Sequence, residues 1–179
     1  MFKMQDQMKS VETKHLKLIP CNPDILKSAI QGDEDLAKFL QVTVQEAWTE
    51  FGTGPLQYSF DKLTKSEEEK GWWSYFPIYK PENKLIGSGG YKGKPTTEGV
   101  VEIGYEIALP YRNRGLATEM AKGLIENALK DKSVKTIIAH TLAEDNPSTK
   151  VLQKCGFEKV QEINDPEDGL IWKWDLNIK

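Results

Sequence analysis

The sequence predicts a mixed domain of the α/β or α+β class, in which one sheet carries helices on both faces. Val101–Leu109 alternates apolar and polar residues with a period of two, and directly after it Leu116, Met120, Leu124 and Ala128 recur every four residues. The order of such segments along the chain completes the prediction: strand, helices, three strands, helix, strand, helix, two strands.

Each element has its own signal. In TKHLKLIP, residues 13–20, Leu16 and Leu18 alternate with lysines, which predicts a first strand. Asn22 can cap a helix, Pro23 suits its first position, and Ile25, Leu26, Ala29 and Ile30 fall at helical spacing. Leu36, Phe39 and Leu40 predict a second short helix, FGTGP at 51–55 breaks the pattern, and Asp61–Gly71 is charged and helix-prone. Trp73–Tyr79 and Lys84–Tyr91 predict two strands joined by a Pro-Glu-Asn turn. In Val101–Leu109, residues 101, 103, 105, 107 and 109 form an apolar face, Glu102, Gly104, Glu106 and Ala108 lie opposite, and Pro110 ends the strand. A helix is expected from Gly115 to Lys130, with Ile125 and Leu129 widening its apolar stripe. VKTIIAHTL, residues 134–142, predicts a strand buried on both faces. Asn146-Pro147 opens a helix that Gly156 stops, and Phe157–Ile163 and Leu170–Leu176 close the chain as strands.

Composition bounds the function. The chain has 179 residues, 39% hydrophobic and 28% charged, which suits a flexible segment at 1–10 followed by one domain at 11–179. A net charge of −3 argues against broad nucleic-acid binding. Cys21 and Cys155 lie far apart without CxxC partners and read as free thiols in a reducing compartment. The N-terminus lacks an apolar signal-peptide core and no apolar run approaches a membrane span, so the expected location is cytoplasmic. His15 and His140 have no ligands at metal-site spacing, and no metal is expected; His140 reads as a packing residue.

Chemistry concentrates in EIGYEIALPYRNRGLATEM, Glu102–Met120: a strand, a basic turn with one glycine, then a long helix. This is an anion site in outline. A helix N-terminus offers backbone N–H groups and partial positive charge, Arg112 and Arg114 add full charges, and Gly115 allows close approach. A P-loop is excluded because Gly93-Lys94 is followed by Pro95. A dinucleotide fingerprint is excluded because Gly87, Gly89 and Gly90 have no third glycine at Lys92; GSGG there marks a close backbone approach or a bulge.

RNRGLA, Arg112–Ala117, resembles the Gln/Arg-x-x-Gly-x-Gly/Ala pyrophosphate signature of the GNAT superfamily of N-acetyltransferases. EIGYEIALPYRNRG resembles the RimJ/RimL-like branch, which acetylates ribosomal proteins, as do TKHLKLIP and EDNPSTKVLQKCGFEKV at 144–160. The resemblance spans about Thr13–Leu176. It implies a mixed, mostly antiparallel seven-stranded sheet whose fourth strand carries a bulge and splays from the fifth. Acetyl-CoA would bind there, with pantetheine along the backbone of Ile107, Ala108 and Leu109. Its pyrophosphate would lie over Arg112, Asn113, Arg114, Gly115, Leu116, Ala117 and Thr118; Asn146 and Ser148 would line the cofactor's other side, with Lys150 near its terminal phosphate.

The implied reaction is direct attack of a primary amine, from a protein N-terminus or a small molecule, on the thioester in a ternary complex. A non-catalytic acyl-CoA-binding module is the alternative. Glu102 is the expected base, because an early glutamate of this strand serves so in some relatives; Glu106 is the second choice, and a salt-bridged surface glutamate is the ordinary alternative. Many members place a tyrosine acid four residues before the Gly-Phe, where this chain has Leu152. In the resembling branch that role falls to the serine here numbered Ser148, whose ordinary alternative is helix N-terminal bonding. Trp48, Trp72 and Trp73 lie where the family's acceptor pocket would be, although packing is the commoner fate of tryptophan. Cys155 reads as a packing thiol and KSEEEK, 65–70, as a solvated helix face. A homodimer is common among relatives.

Overall fold

The computed structural model describes residues 8–178, so residues 1–7 of the expected flexible segment lie outside the described residues. The strands are β1 (Val11–Glu12), β2 (Leu16–Pro20), β3 (Thr43–Val44), β4 (Ser74–Tyr79), β5 (Lys84–Leu85), β6 (Gly87–Tyr91), β7 (Val100–Ile107), β8 (Thr136–Leu142), β9 (Glu158–Asp165) and β10 (Gly169–Asn177). The helices are α1 (Pro23–Gln31), α2 (Asp33–Leu40), α3 (Gly54–Lys65), α4 (Leu116–Ala128) and α5 (Pro147–Lys154). The sheet runs β1-β2-β4-β6-β7-β8-β10-β9, with β3 and β5 paired beside β4. Leaving out the two-residue strands β1, β3 and β5 gives the seven strands expected. All pairs are antiparallel except β7–β8 and β3–β5.

Alternation along the strands divides the core in two. One cluster lies under α4 and α5 and includes Leu16, Leu18, Ile103, Met120, Leu124, Ile137 and Leu152. The other lies under α1–α3 and includes Leu26, Leu36, Trp48, Phe76, Ile78 and Leu85. Local signals acted as expected: Asn22 accepts the Ile25 N–H at 2.9 Å, and Asn146 accepts the Thr149 N–H at 3.0 Å while Thr149 Oγ1 accepts the Asn146 N–H. Among the described residues, no helix is long and apolar enough to cross a membrane.

Four expectations change. FGTGP breaks the helical pattern at 51–53, but its Gly54-Pro55 already opens α3. Lys84–Tyr91 divides at Ile86 into β5 and β6, and both halves pair with β4. Leu109 leaves the apolar face for a 3-10 turn ahead of the basic segment and is 73% exposed. β8 is buried on one face only, through Ile137, Ala139 and Thr141, because the α1–α3 cluster contains no β8 residue.

Candidate active site

Strand β7 organises the site. It pairs with β8 in parallel only through Val100–Glu102, opposite Thr136–Ile138. Beyond Glu102 the two strands part. The register of β7 with β6 runs unbroken from Ile103↔Tyr91 to Ile107↔Gly87, so the expected bulge is absent from this ladder. The GSGG segment is both a close approach and a bulge: a Cβ at Gly90, whose φ is 127°, would collide with the Trp73 carbonyl, and against β4 the register slips by one residue between Tyr75↔Gly89 and Ile78↔Leu85.

Extended backbone alternates the direction of its amides. The Glu102 carbonyl accepts from Lys92 N and the Ala108 N–H donates to Ile86 O at 2.7 Å, so even-numbered residues of β7 turn toward β6. Ile103, Tyr105 and Ile107 therefore present their main chain to the gap opposite β8. Ala108 is bonded on both sides, its N–H donating to Ile86 O and its carbonyl accepting from Tyr111 N at 2.9 Å. Leu109, in the turn past β7, and Leu142, the last residue of β8, expose 73% and 50% of their surface.

The basic turn follows. Asn113 (φ 61°) and Gly115 (φ 75°) are both left-handed, which reverses the chain tightly into α4. Gly115 N-caps α4 without a side-chain bond, and a Cβ there would meet no atom within 4 Å. Arg112, Asn113, Arg114 and Gly115 are exposed, Leu116 is buried as an anchor, and Ala117 and Thr118 are half-buried. The Arg114 guanidinium stacks 5.1 Å from the Tyr111 ring centre. Arg112 Nε donates to Ile107 O at 2.8 Å, and its Nη2 reaches Glu50 at 3.0 Å. An open, uncapped helix terminus with two guanidiniums fits a pyrophosphate group. Lys150 is exposed on α5, and Asn146 is engaged as the α5 cap.

On the β7 face away from α4, Glu102, Gly104 and Glu106 stand in a row. Glu102 accepts from Lys92 Nζ at 2.8 Å and lies 2.8 Å from His140 Nδ1, so it is held as an ion pair at the point where the strands part. Among the described residues, a Cβ at Gly104 would meet nothing within 4 Å. Glu106 lines a cavity of about 640 Å³ between β4, β6, β7, α3 and the segment 49–52. Burial raises its carboxyl above the usual range, although the Glu50 N–H donates to it at 3.2 Å.

Sequence reasoning missed several partners. The Tyr105 hydroxyl lies 3.2 Å from Ser148 O and 3.3 Å from Ser148 Oγ, and burial pushes its pKa up to about 12. Its place in an apolar alternation hid it, but a phenol inside such a stripe needs a polar partner. His140 meets Glu102, and Glu50 links the basic turn to Glu106; neither follows from spacing, because each pairs residues distant in sequence. Trp48 packs on Phe76 and donates to Asp33, Trp72 packs on Tyr91, and Trp73 alone of the three lines the cavity. Within KSEEEK, Glu69 is engaged as well as solvated: it accepts from Trp73 Nε1 at 2.9 Å. The Cys155 thiol is half-buried and its pKa is raised by burial, as suits packing.

The sequence and the fold match known proteins. Residues 19–158 match the acetyltransferase (GNAT) domain, and the chain belongs to the GNAT family of N-acetyltransferases. It is 29% identical over 149 residues to the uncharacterized N-acetyltransferase YjdG of Bacillus subtilis (strain 168), covering 82% of this chain and 88% of that one. In fold it resembles RimL, a ribosomal L7/L12 α-N-protein acetyltransferase solved in complex with CoA (TM-score 0.68, 10% identity, 95% and 98% of the two chains). It also resembles the ribosomal-protein-S5-alanine acetyltransferase of Vibrio fischeri (TM-score 0.67, 15% identity, 95% and 97% of the two chains). The RimJ/RimL-like resemblance of the sequence is thus matched by the fold.

Proposed function

We propose that the chain transfers the acetyl group of acetyl-CoA to a primary amine by direct attack, with both substrates bound side by side. The observation that carries this reading is the division of β7. One edge opens toward β8 and leads into the basic turn, while one face presents Glu106 to a cavity. Two substrates held on one strand would meet without the entropic barrier of a bimolecular encounter, worth up to about 7–11 kcal/mol.

Acetyl-CoA supplies an activated acyl thioester. Its pyrophosphate would rest on Arg112, Arg114 and the N–H groups from Gly115 to Thr118. Its pantetheine arm would follow the main chain of Ile103, Tyr105 and Ile107, with Leu109 and Leu142 as apolar walls and Asn146 and Lys150 flanking from α5. Glu106 is the better-placed base: it faces the cavity, and burial makes its carboxylate a stronger base than an exposed one. Glu102, engaged by Lys92 and His140, would hold those two side chains in place beside the site. The Tyr105 hydroxyl, protonated at neutral pH and beside Ser148, supplies an acid on the α5 side of the gap, where Leu152 leaves none.

A thermal-shift titration with acetyl-CoA followed by a thiol-release assay over an amine panel tests the reading. Ligand at 100 times its Kd should stabilise the fold by about 2.7 kcal/mol. Stabilisation with thiol release supports it. Stabilisation without release from any amine would instead indicate an acyl-CoA-binding module, and no stabilisation would remove the phosphate site.

A further inference from the structure

The acceptor cavity is built unevenly, and its asymmetry bears on the substrate, given the acetyl-transfer reading. Its outer wall is aromatic. Tyr58 packs edge-on against Trp73 with ring centres 5.4 Å apart, and Phe51 stands at the mouth. Phe51 and Tyr58 are 66% and 56% exposed, an apolar surface that a bound apolar group would cover. Its floor is bare backbone at Gly89, Gly90 and Gly104.

The polar complement is sparse. Glu106 is the one carboxylate lining the cavity among the described residues, and the one ammonium, Lys92, is paired with Glu102. Of the lining hydroxyls, Ser59 and Ser74 bond each other at 2.8 Å, and those of Tyr91 and Tyr105 bond Leu124 and Ser148; the others are those of Thr49, Tyr58 and Ser88. A polyamine would ask for several spaced carboxylates, and an amino sugar for a dense set of donors and acceptors. The cavity offers one anionic anchor and one aromatic wall.

The geometry points to a primary amine that carries an aromatic ring, with its nitrogen at Glu106 over Gly104 and its ring against Tyr58 and Trp73. The pairing Ser74↔Gly90↔Gly104 sets β4 and β7 two strand spacings apart, about 9.6 Å. A ring plus a linker of two or three atoms spans that distance. The same chemistry occurs in a free arylalkylamine and in a peptide beginning with phenylalanine or tryptophan.

The test compares KM and kcat by thiol release at saturating acetyl-CoA. The small-molecule arm uses 2-phenylethylamine, n-butylamine, spermidine and glucosamine; the peptide arm uses matched peptides beginning with Phe, Ala or Ser. The aromatic member of one arm should show a KM at least tenfold below its counterparts, and the arm in which it does so identifies the source. Tyr58→Ala should remove that KM advantage, Tyr58→Phe should retain it, and neither should change the thermal stabilisation by acetyl-CoA. Equal KM values across both arms, with acetyl-CoA stabilisation intact, would overturn this inference and leave acetyl transfer standing. No stabilisation and no acetylation of any amine would overturn both.

Discussion

Replacing Gly104 by valine separates the acceptor site from the fold and from the cofactor site. Gly104 is not in the left-handed region, and a Cβ built on it meets nothing within 4 Å among the described residues. The variant should therefore fold. Glycine inside a strand is disfavoured by roughly 0.5–1 kcal/mol relative to alanine, so stability should hold or rise by about that amount. The new side chain would project from the face shared with Glu102 and Glu106, into the space where the amine must sit. Displacing a reacting group by about 1 Å is enough for a loss on the order of 100-fold, or about 2.7 kcal/mol of transition-state stabilisation. Thiol release should fall by that factor in kcat/KM for the amine, while acetyl-CoA still raises the melting temperature as in the wild type. A Gly104→Val enzyme with undiminished kcat/KM would refute the placement of the amine over β7.

Glu106→Gln should lower turnover at neutral pH and spare acetyl-CoA binding. In the wild type the acidic limb of the rate profile should lie above the ordinary carboxylate range, because burial raises this group, and the variant should lose that limb; an unchanged profile would return the role to Glu102. The same raised pKa means that the folded state holds the proton more tightly. Its stabilising contribution is therefore present below the unfolded carboxyl pKa and fades as pH rises through the raised value, and chemical denaturation of Glu106→Gln across that window should show a flatter pH dependence. Gly115→Glu should abolish stabilisation by acetyl-CoA by placing a carboxylate in the basic turn. Gly115→Asn, which tolerates φ 75° without the charge, should retain most of it, and equal losses in calorimetric affinity would mean that strain, not charge, was measured. Tyr105→Phe should reduce single-turnover rates about 100-fold, the lower end for an acid catalyst, and cost no more than about 1 kcal/mol of stability; wild-type rates would remove the hydroxyl from the mechanism.

Much of the scaffold was legible because its signals are local. Alternation in Val101–Leu109 and the four-residue repeat from Leu116 report burial directly, and the Asn22-Pro23 and Asn146-Pro147 caps mark helix starts through bonds to the next turn. The basic turn was legible for the same reason, since its arginines and glycine lie within four residues. The acceptor side was not. Its roof, from Thr49 to Ser59, meets Glu106 only through tertiary packing, and nothing in residues 45–53 announces that the Glu50 N–H will bond a carboxylate 56 positions later. The choice between Glu102 and Glu106 turned on partners, Lys92 just past β6 and His140 in β8, that strand periodicity leaves unspecified.

Arg112 shows why the two halves of the site are hard to probe apart. Its side chain bonds the Ile107 carbonyl on the cleft edge and pairs with Glu50, and the Glu50 N–H bonds Glu106. The Glu50 charge raises the Glu106 carboxyl and the Arg112 charge lowers it, so the basic turn already acts on the proposed base through the acceptor roof. Removing Arg112 would thus take a cation from the phosphate site, free Glu50 and push the Glu106 carboxyl further up, all at once. A fall in activity of Arg112→Ala could come from either side of β7. Gly115 and Gly104 each alter one side only, because each adds its first side-chain atom to space with no neighbour within 4 Å. Testing cofactor binding at one glycine and amine turnover at the other is what the architecture of this strand permits.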